Sequence, residues 1–374
     1  MESILESMKE SLKEKFRTTE HPFIIFNHLA APIELLRCFT DVVPINYYME
    51  LQEDNNRKNV FPQDFCDMAK IMGSYQPRSG GDDLLVCAAT CGVSLKSAQI
   101  LSSSHKCLVV DLPRSNASSD VSYLQKQYLN LYRVLSDHFQ RKVTARALAE
   151  SIRTQNHLRR ALRAVYAKRA LPHPPLSATL AREFLFGQFG CGENYLDLLT
   201  KVGRSLGEPM AKEYGVMQDR ARITLLGPAA GEMLHSLKRE DFVTKFLALV
   251  ESMGFAIVLE SGIRLEELHC EDTSVERILG QLARHHLTYQ LTNCGIHNPE
   301  TVRRSVEEAQ TYQVDGAIYC NLKFCEPNAF EVGKYEEAFR KARIPLLRLE
   351  VGADFSRTGQ LLTRLETFRH MLGR

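Results

Sequence analysis

Ten cysteines are the softest donors in the chain, at positions 38, 66, 87, 91, 107, 191, 270, 294, 320 and 325. No CxxC pair occurs among them, and Cys87-x-x-x-Cys91 is too loose for a zinc site. Three stand apart by position. Cys66 falls in the first turn of a helix expected after Pro62-Gln63-Asp64-Phe65. Cys91 comes just past one apolar strand, and Cys325 just past another, within Lys323-Phe324-Cys325-Glu326-Pro327. In α/β proteins strand ends and helix starts face ligand crevices, where backbone N–H groups favour anions, thiolates included. Three thiolates converging on such a crevice suit a soft metal centre with one coordination position open for substrate. Taken on spacing alone, each of the three reads first as a packed small hydrophobe and only second as an iron–sulfur ligand.

The elements that must position these residues follow from the apolar pattern. Around Cys325 the stretch Asp315 to Glu350 reads as one βαβ unit. It has a buried strand from Gly316 to Cys320, an amphipathic helix near Tyr335 to Ala342, and a second strand from Ile344 to Leu349. In the first half, His21 to Phe26 and Pro44 to Met49 read as strands, and Ala31-Pro32-Ile33-Glu34 opens a helix. Gln63 to Gly73 is helical. Asp83 to Thr90 is a continuous apolar run of the kind found in central parallel strands, with a helix from near Val93 and a strand from Cys107 to Leu112. From about Val121 to Gly215 only helices are expected.

The alternating pattern returns with strands Arg222 to Gly227 and Phe255 to Glu260. Helices follow at Asp241 to Met253, Ser274 to His286, Glu300 to Gln313 and Gly359 to Leu372. The expected class is α/β. It comprises two doubly wound parallel-sheet domains, Rossmann- or flavodoxin-like, at 1–120 and 219–374, with a mainly helical segment at 121–218 between them. The two α/β halves are candidates for distant structural copies.

Composition narrows the function classes. A chain of 374 residues exceeds one ordinary core, and 44% hydrophobic with 25% charged residues is a soluble globular balance. A net charge of +2 with no long basic run argues against nucleic acid. The most basic segment, Arg153 to Arg169, reads as the solvated face of an amphipathic helix, with a patch for an acidic partner or phosphate second. No apolar run reaches the roughly 18–20 residues of a membrane span. The opening MESILESMKESLKEKF reads as a charged amphipathic helix and not a signal peptide. Cysteines scattered singly then point to a reducing, cytoplasmic setting. Gly80-Gly81 reads as a turn. Gly227-Pro228-Ala229-Ala230-Gly231 follows a strand and can approach a ligand backbone, but has neither P-loop nor dinucleotide spacing. His285-His286 is expected at the surface. No Ser–His–Asp arrangement can be argued.

The order Asp315-Gly316-Ala317-Ile318, Lys323-Phe324-Cys325-Glu326-Pro327, Ile344-Pro345-Leu346-Leu347-Arg348-Leu349-Glu350 and Gly359-Gln360-Leu361-Leu362-Thr363-Arg364 resembles the 2-hydroxyacyl-CoA dehydratase family. That family also contains benzoyl-CoA reductase subunits and double-cubane-cluster proteins. Phe65-Cys66, Cys91 and Val109-Val110-Asp111-Leu112-Pro113 match it too, so the resemblance spans nearly the whole chain. It implies that Cys66, Cys91 and Cys325 bind a [4Fe–4S] cluster between the two α/β domains of a smaller dehydratase subunit. It also implies a related larger subunit as partner and a separate ATP-hydrolysing iron–sulfur activator that injects one electron. The reaction implied is loss of water from an (R)-2-hydroxyacyl-CoA through a ketyl radical to a 2-enoyl-CoA. The β-proton of such a substrate is barely acidic, and general acid–base help of roughly 10²–10⁴-fold does not suffice; a cofactor carries the radical chemistry instead.

Two alternatives stay open. One is a subunit of an ATP-dependent aryl-CoA (benzoyl-CoA) reductase, or a homodimeric reductase with an [8Fe–9S] double cubane. The other is a non-catalytic electron-relay partner. Gly92 and Gly352 stand where family members carry acidic residues, which leaves the substrate subgroup open. Cys87, Cys294 and Cys320 are taken as buried or accessory.

Overall fold

The computed structural model describes residues 2–51, 61–62, 64–78, 82–115, 117–189, 194–206, 220–227, 242–260, 262–270, 274–290, 299–352 and 358–373. Two compact units share the chain. One comprises Met1–Arg160, Phe189–Cys191 and Glu266–His297; the other comprises Ala161–Gln188, Gly192–Leu265 and Asn298–Arg374. The stretch read as a helical middle contains the helices Ser118–His138, Ala145–Ala167, Ala178–Gly187 and Tyr195–Ser205. Its residues up to Arg160 fall in the first unit and Ala161–Gln188 in the second. Among the described residues no helix is long and apolar enough to cross a membrane.

Each unit is built on a four-stranded parallel sheet. In the first, β1 (Ile24–Phe26), β2 (Val42–Pro44), β3 (Leu84–Ala89) and β4 (Cys107–Asp111) lie in the order β2-β1-β3-β4. In the second, β5 (Ala221–Leu226), β6 (Phe255–Glu260), β7 (Gly316–Leu322) and β8 (Leu346–Val351) lie in the order β6-β5-β7-β8. All neighbours pair in parallel. The two orders are one winding used twice, which agrees with the reading of the halves as structural copies. In such a winding the crevice for a ligand opens at the carboxyl ends of the first and third strands, where the connections part to opposite sides.

Burial follows the pleat. β3 and β7 are buried along their whole length, as third strands with a neighbour on each side must be. In β7 the alternate residues Ile318, Cys320 and Leu322 pack with the helices Phe242–Ser252 and Thr358–Met371. Ala317 and Tyr319 face Ala309 of the helix Pro299–Thr311, and Val332, Tyr335 and Phe339 of the helix Glu326–Lys341. Each fully buried large apolar side chain contributes about 1.5–3 kcal/mol, so both faces of this sheet are strongly specified. At the start of β3 the buried Asp83 accepts from Phe23 N at 2.7 Å, Tyr48 Oη at 2.6 Å and Arg78 Nε at 2.7 Å.

Three expectations are corrected. The strand expected from Pro44 to Met49 is a strand ending at Pro44 followed by the helix Ile45–Leu51. Proline has no N–H for the ladder, and Ile45, Tyr47, Tyr48 and Leu51 are buried on the helix that follows. The helix expected near Tyr335 runs from Glu326 to Lys341, with Pro327 in its first turn. His285 and His286, expected at the surface, are buried at the end of the helix Val275–His285.

Candidate functional site

The three cysteines singled out by position share one local geometry: each is the N-cap of a helix. Cys66, half-buried, caps Asp67–Gly73 and accepts Lys70 N on its carbonyl at 3.2 Å. Cys91 follows β3 and caps Gly92–Leu101. Its Sγ accepts Ser94 N at 3.4 Å, while Ser94 Oγ accepts Cys91 N at 2.9 Å. This is a capping box with sulfur in place of oxygen. Cys325 follows β7 and caps Glu326–Lys341. Its Sγ accepts the side-chain amide of Asn328 at 3.2 Å. Tyr319 Oη fixes Asn328 by donating to its carbonyl at 2.9 Å.

β3 and β7 are the third strands of the two windings, so Cys91 and Cys325 occupy equivalent places in the two units. The turn before Cys325 is tight. Phe324 has φ +65, a left-handed conformation that costs a non-glycine residue about 1–2 kcal/mol. Backbone strain of this kind gathers at functional sites. Within the first unit the helices that Cys66 and Cys91 cap pack against each other. Cys325 belongs to the second unit. Among the described residues no three His, Cys, Asp or Glu side chains form a metal-binding group.

The remaining described cysteines differ in kind. Cys38, Cys87 and Cys320 are buried. Burial pushes the Cys38 thiol up to about 11 and raises that of Cys320 further. Cys87 and Cys107 lie against each other with 3.5 Å between their sulfurs. None of the eight described cysteines is in a disulfide; Cys191 and Cys294 lie outside the described residues. The N-cap cysteines are thus the half-buried thiols set at helix starts, two of them with an N–H aimed at sulfur. Such a donor set suits a soft metal centre, whose sulfurs commonly accept N–H bonds that tune the metal.

Gly227, read as able to approach a ligand backbone, instead approaches its own chain. It has φ +85, and a Cβ there would lie 2.6 Å from Cys320 O. Residues 228–231 and Gly80-Gly81 lie outside the described residues. A Cβ at Gly92 would meet nothing within 4 Å, so the first turn after Cys91 is open.

Two buried charge networks had no counterpart in the sequence reading. In the first unit Glu34, 1% exposed, bonds Arg159 Nη2 and lies 3.5 Å from His286 Nε2; His286 Nδ1 and Tyr128 Oη share a 2.6 Å hydrogen bond. Burial opposes the Glu34 charge, but Arg159 and His286 together hold its carboxyl well below the usual range. Burial pushes His285 down to about 3. In the second unit Glu260, at the carboxyl end of β6, bonds Arg169 at 2.6 Å and Arg182 at 3.1 Å, all fully buried at their side chains. Arg153 to Arg169 is therefore solvated only in part: Arg153, Arg160 and Arg163 are exposed, while Arg159 and Arg169 are buried. A signal existed, since Ile152, Gln155, Arg159 and Leu162 fall on one helical stripe.

"Putative dehydratase subunit YjiM" of Escherichia coli (strain K12) is 25% identical over 325 residues, covering 83% of this chain and 81% of that protein. The family model described as 2-hydroxyglutaryl-CoA dehydratase, D-component, matches residues 28–372, a range that takes in β2 to β8 and all three N-cap cysteines, and the chain belongs to that family.

Proposed function

We propose that this chain is the iron–sulfur subunit, of the smaller type, of an (R)-2-hydroxyacyl-CoA dehydratase. A related larger subunit is its partner, and an ATP-hydrolysing iron–sulfur activator primes the reaction in the cytoplasm. Membership of the D-component family supports a dehydratase component with a partner subunit. The observation that carries the cofactor reading is the repeat of one device: a thiol at the end of the third strand of each winding, capping the next helix, with an N–H on its sulfur.

Cys66, Cys91 and Cys325 would hold a [4Fe–4S] cluster through three thiolates. Bound there, such a cluster supplies one-electron chemistry and an open iron for a thioester carbonyl. This chain's own residues do the holding. Ser94 N–H and the Asn328 amide offset negative charge on two of the sulfurs. Tyr319 keeps Asn328 in place, and the left-handed Phe324 turns β7 sharply into the capped helix.

The test is to purify the full-length protein without oxygen, count iron and sulfide, and repeat with Cys66, Cys91 and Cys325 each changed to serine. Each change is expected to lower bound iron; unchanged iron in all three variants sinks the proposal. Co-expression with the partner and activator, then assay of (R)-2-hydroxyacyl-CoAs beside benzoyl-CoA, separates dehydration from aryl reduction. Turnover of benzoyl-CoA alone overturns the dehydratase reading.

A further inference from the structure

Two cysteines that the proposed function does not use face each other inside the first sheet. Cys87 sits in the middle of β3, fully buried. Cys107 opens β4, half-buried, after the exposed turn that includes Ser102, Ser103 and Ser104. The ladder pairs Leu85 with Cys107 and Cys87 with Val109, so the two cysteines are diagonal neighbours across the strand pair. Their sulfurs are 3.5 Å apart.

A disulfide needs about 2.05 Å between sulfurs, so the pair falls short by roughly 1.5 Å. The gap can close because β4 is an edge strand, hydrogen-bonded to one neighbouring strand among the described residues, and Cys107 is its first residue. The surroundings are apolar and aromatic. Tyr75 is buried and takes His105 edge-on at 5.6 Å; burial raises its phenol first, and both thiols are near enough to add to that rise. Its hydroxyl has no hydrogen-bond partner among the described residues.

We propose that Cys87 and Cys107 form a peroxide-reactive dithiol site, in which Cys107 meets the oxidant and Cys87 closes a disulfide onto it. The sulfur of Cys107 attacks one oxygen of a hydroperoxide; the O–O bond breaks, giving Cys107 sulfenic acid and, from hydrogen peroxide, water. The sulfur of Cys87 then attacks the sulfenic sulfur, its proton leaves with the hydroxyl as a second water, and the S–S bond forms. Two thiols lose two electrons in total and one peroxide gains them. An external dithiol reverses the step by exchange. The hydrogen bond with Cys107 and burial both raise the Cys87 thiol, so closure quickens as pH rises. Proximity compensates, since the attacking sulfur is already near reach.

The test treats the full-length protein, purified without oxygen, with hydrogen peroxide, blocks remaining thiols by alkylation, and digests it without reductant. Mass spectrometry is expected to find the Cys107 peptide joined to the peptide carrying Cys87, lighter by two hydrogens. Fragmentation must place the link, because Cys91 lies four residues on. In Cys87→Ser, a sulfenic acid trapped by dimedone is expected at Cys107. In Cys107→Ser, Cys87 is expected to stay fully alkylatable after denaturation. Absence of the Cys87–Cys107 link in the wild-type protein, or a link from Cys107 to Cys91, overturns the proposal. So does failure to trap sulfenic acid at Cys107 in Cys87→Ser. Iron content does not enter this readout, so its outcome is independent of the cluster assignment.

Discussion

Asn328 donates its side-chain amide to Cys325 Sγ at 3.2 Å, and its own carbonyl accepts Tyr319 Oη at 2.9 Å. Removing the donor leaves the cysteine in place and the sulfur without that N–H. Asn328→Ala is expected to weaken retention of the proposed cluster about 10–100-fold, the usual cost of losing such an outer partner. Asn328→Asp, which puts a carboxylate beside sulfur, is expected to be worse. The measurement is iron release to a chelator under anaerobic conditions, with circular dichroism showing that the fold is kept. Equal release from all three proteins would refute the role given to Asn328.

Gly227 allows β5 to end hard against Cys320. With φ +85 and only 2.6 Å to Cys320 O for an added Cβ, Gly227→Ala combines backbone strain with a clash against main chain. A loss of about 2–4 kcal/mol is expected from urea unfolding. Gly92→Asp is the contrasting case. It has open space, and its carboxylate would join the first turn of a helix. Stability within about 0.5 kcal/mol of wild type is expected.

Glu34 and Arg159 form a buried pair joined by His286. Removing one partner of such a pair typically costs about 3–5 kcal/mol, because the other is left buried and charged. Arg159→Met should therefore cost more than the paired change Arg159→Met with Glu34→Gln. Denaturant midpoints of the two variants check this; a double variant less stable than the single one would contradict it.

Two buried groups give opposite pH dependences. His285 falls to about 3, so the unfolded chain binds its proton first as pH drops. Its contribution is present above the ordinary histidine value and is lost as pH falls from about 6.5 towards 3. Glu251 rises to about 7, chiefly through burial. Its contribution is present below the ordinary carboxylate value and is lost as pH rises from about 4.5 through 7. Glu251→Gln keeps an acceptor for Ala178 N, which Glu251 Oε1 now takes at 2.8 Å. The variant is expected to be more stable than wild type at pH 8 by about 1–3 kcal/mol and to lose that advantage near pH 4. His285→Leu should flatten the acid limb. Thermal unfolding scanned from pH 4 to 8 reads both.

Legibility of the fold tracked how local the determining interactions are. Continuous apolar runs at Leu84–Ala89 and within Gly316–Leu322 announce central strands because burial on both faces needs no partner to be read. Ile45–Leu51 is ambiguous because a short apolar run fits strand or helix alike, and Pro44 ends a strand where the apolar pattern alone has it begin one. The positions of Cys91 and Cys325 at strand ends were visible. Their common role as N-caps was not, since the amphipathic pattern after Cys325 becomes clear only near Tyr335, nine residues past the start of the helix at Glu326. His286 was out of reach for another reason: Tyr128 stands 158 residues away in sequence, and nothing near His286 records that contact.

The two cysteines in equivalent places have helpers of different chemistry. Cys91 takes its N–H from the backbone of Ser94, which every residue but proline would supply. Cys325 takes it from the side chain of Asn328, which most replacements would abolish. Sequence drift can therefore pass through the first turn with little consequence for its sulfur. The second is adjustable by a single codon, so descendants of this fold that tune the two sulfurs differently would be expected to record the change at residue 328 and not at residue 94.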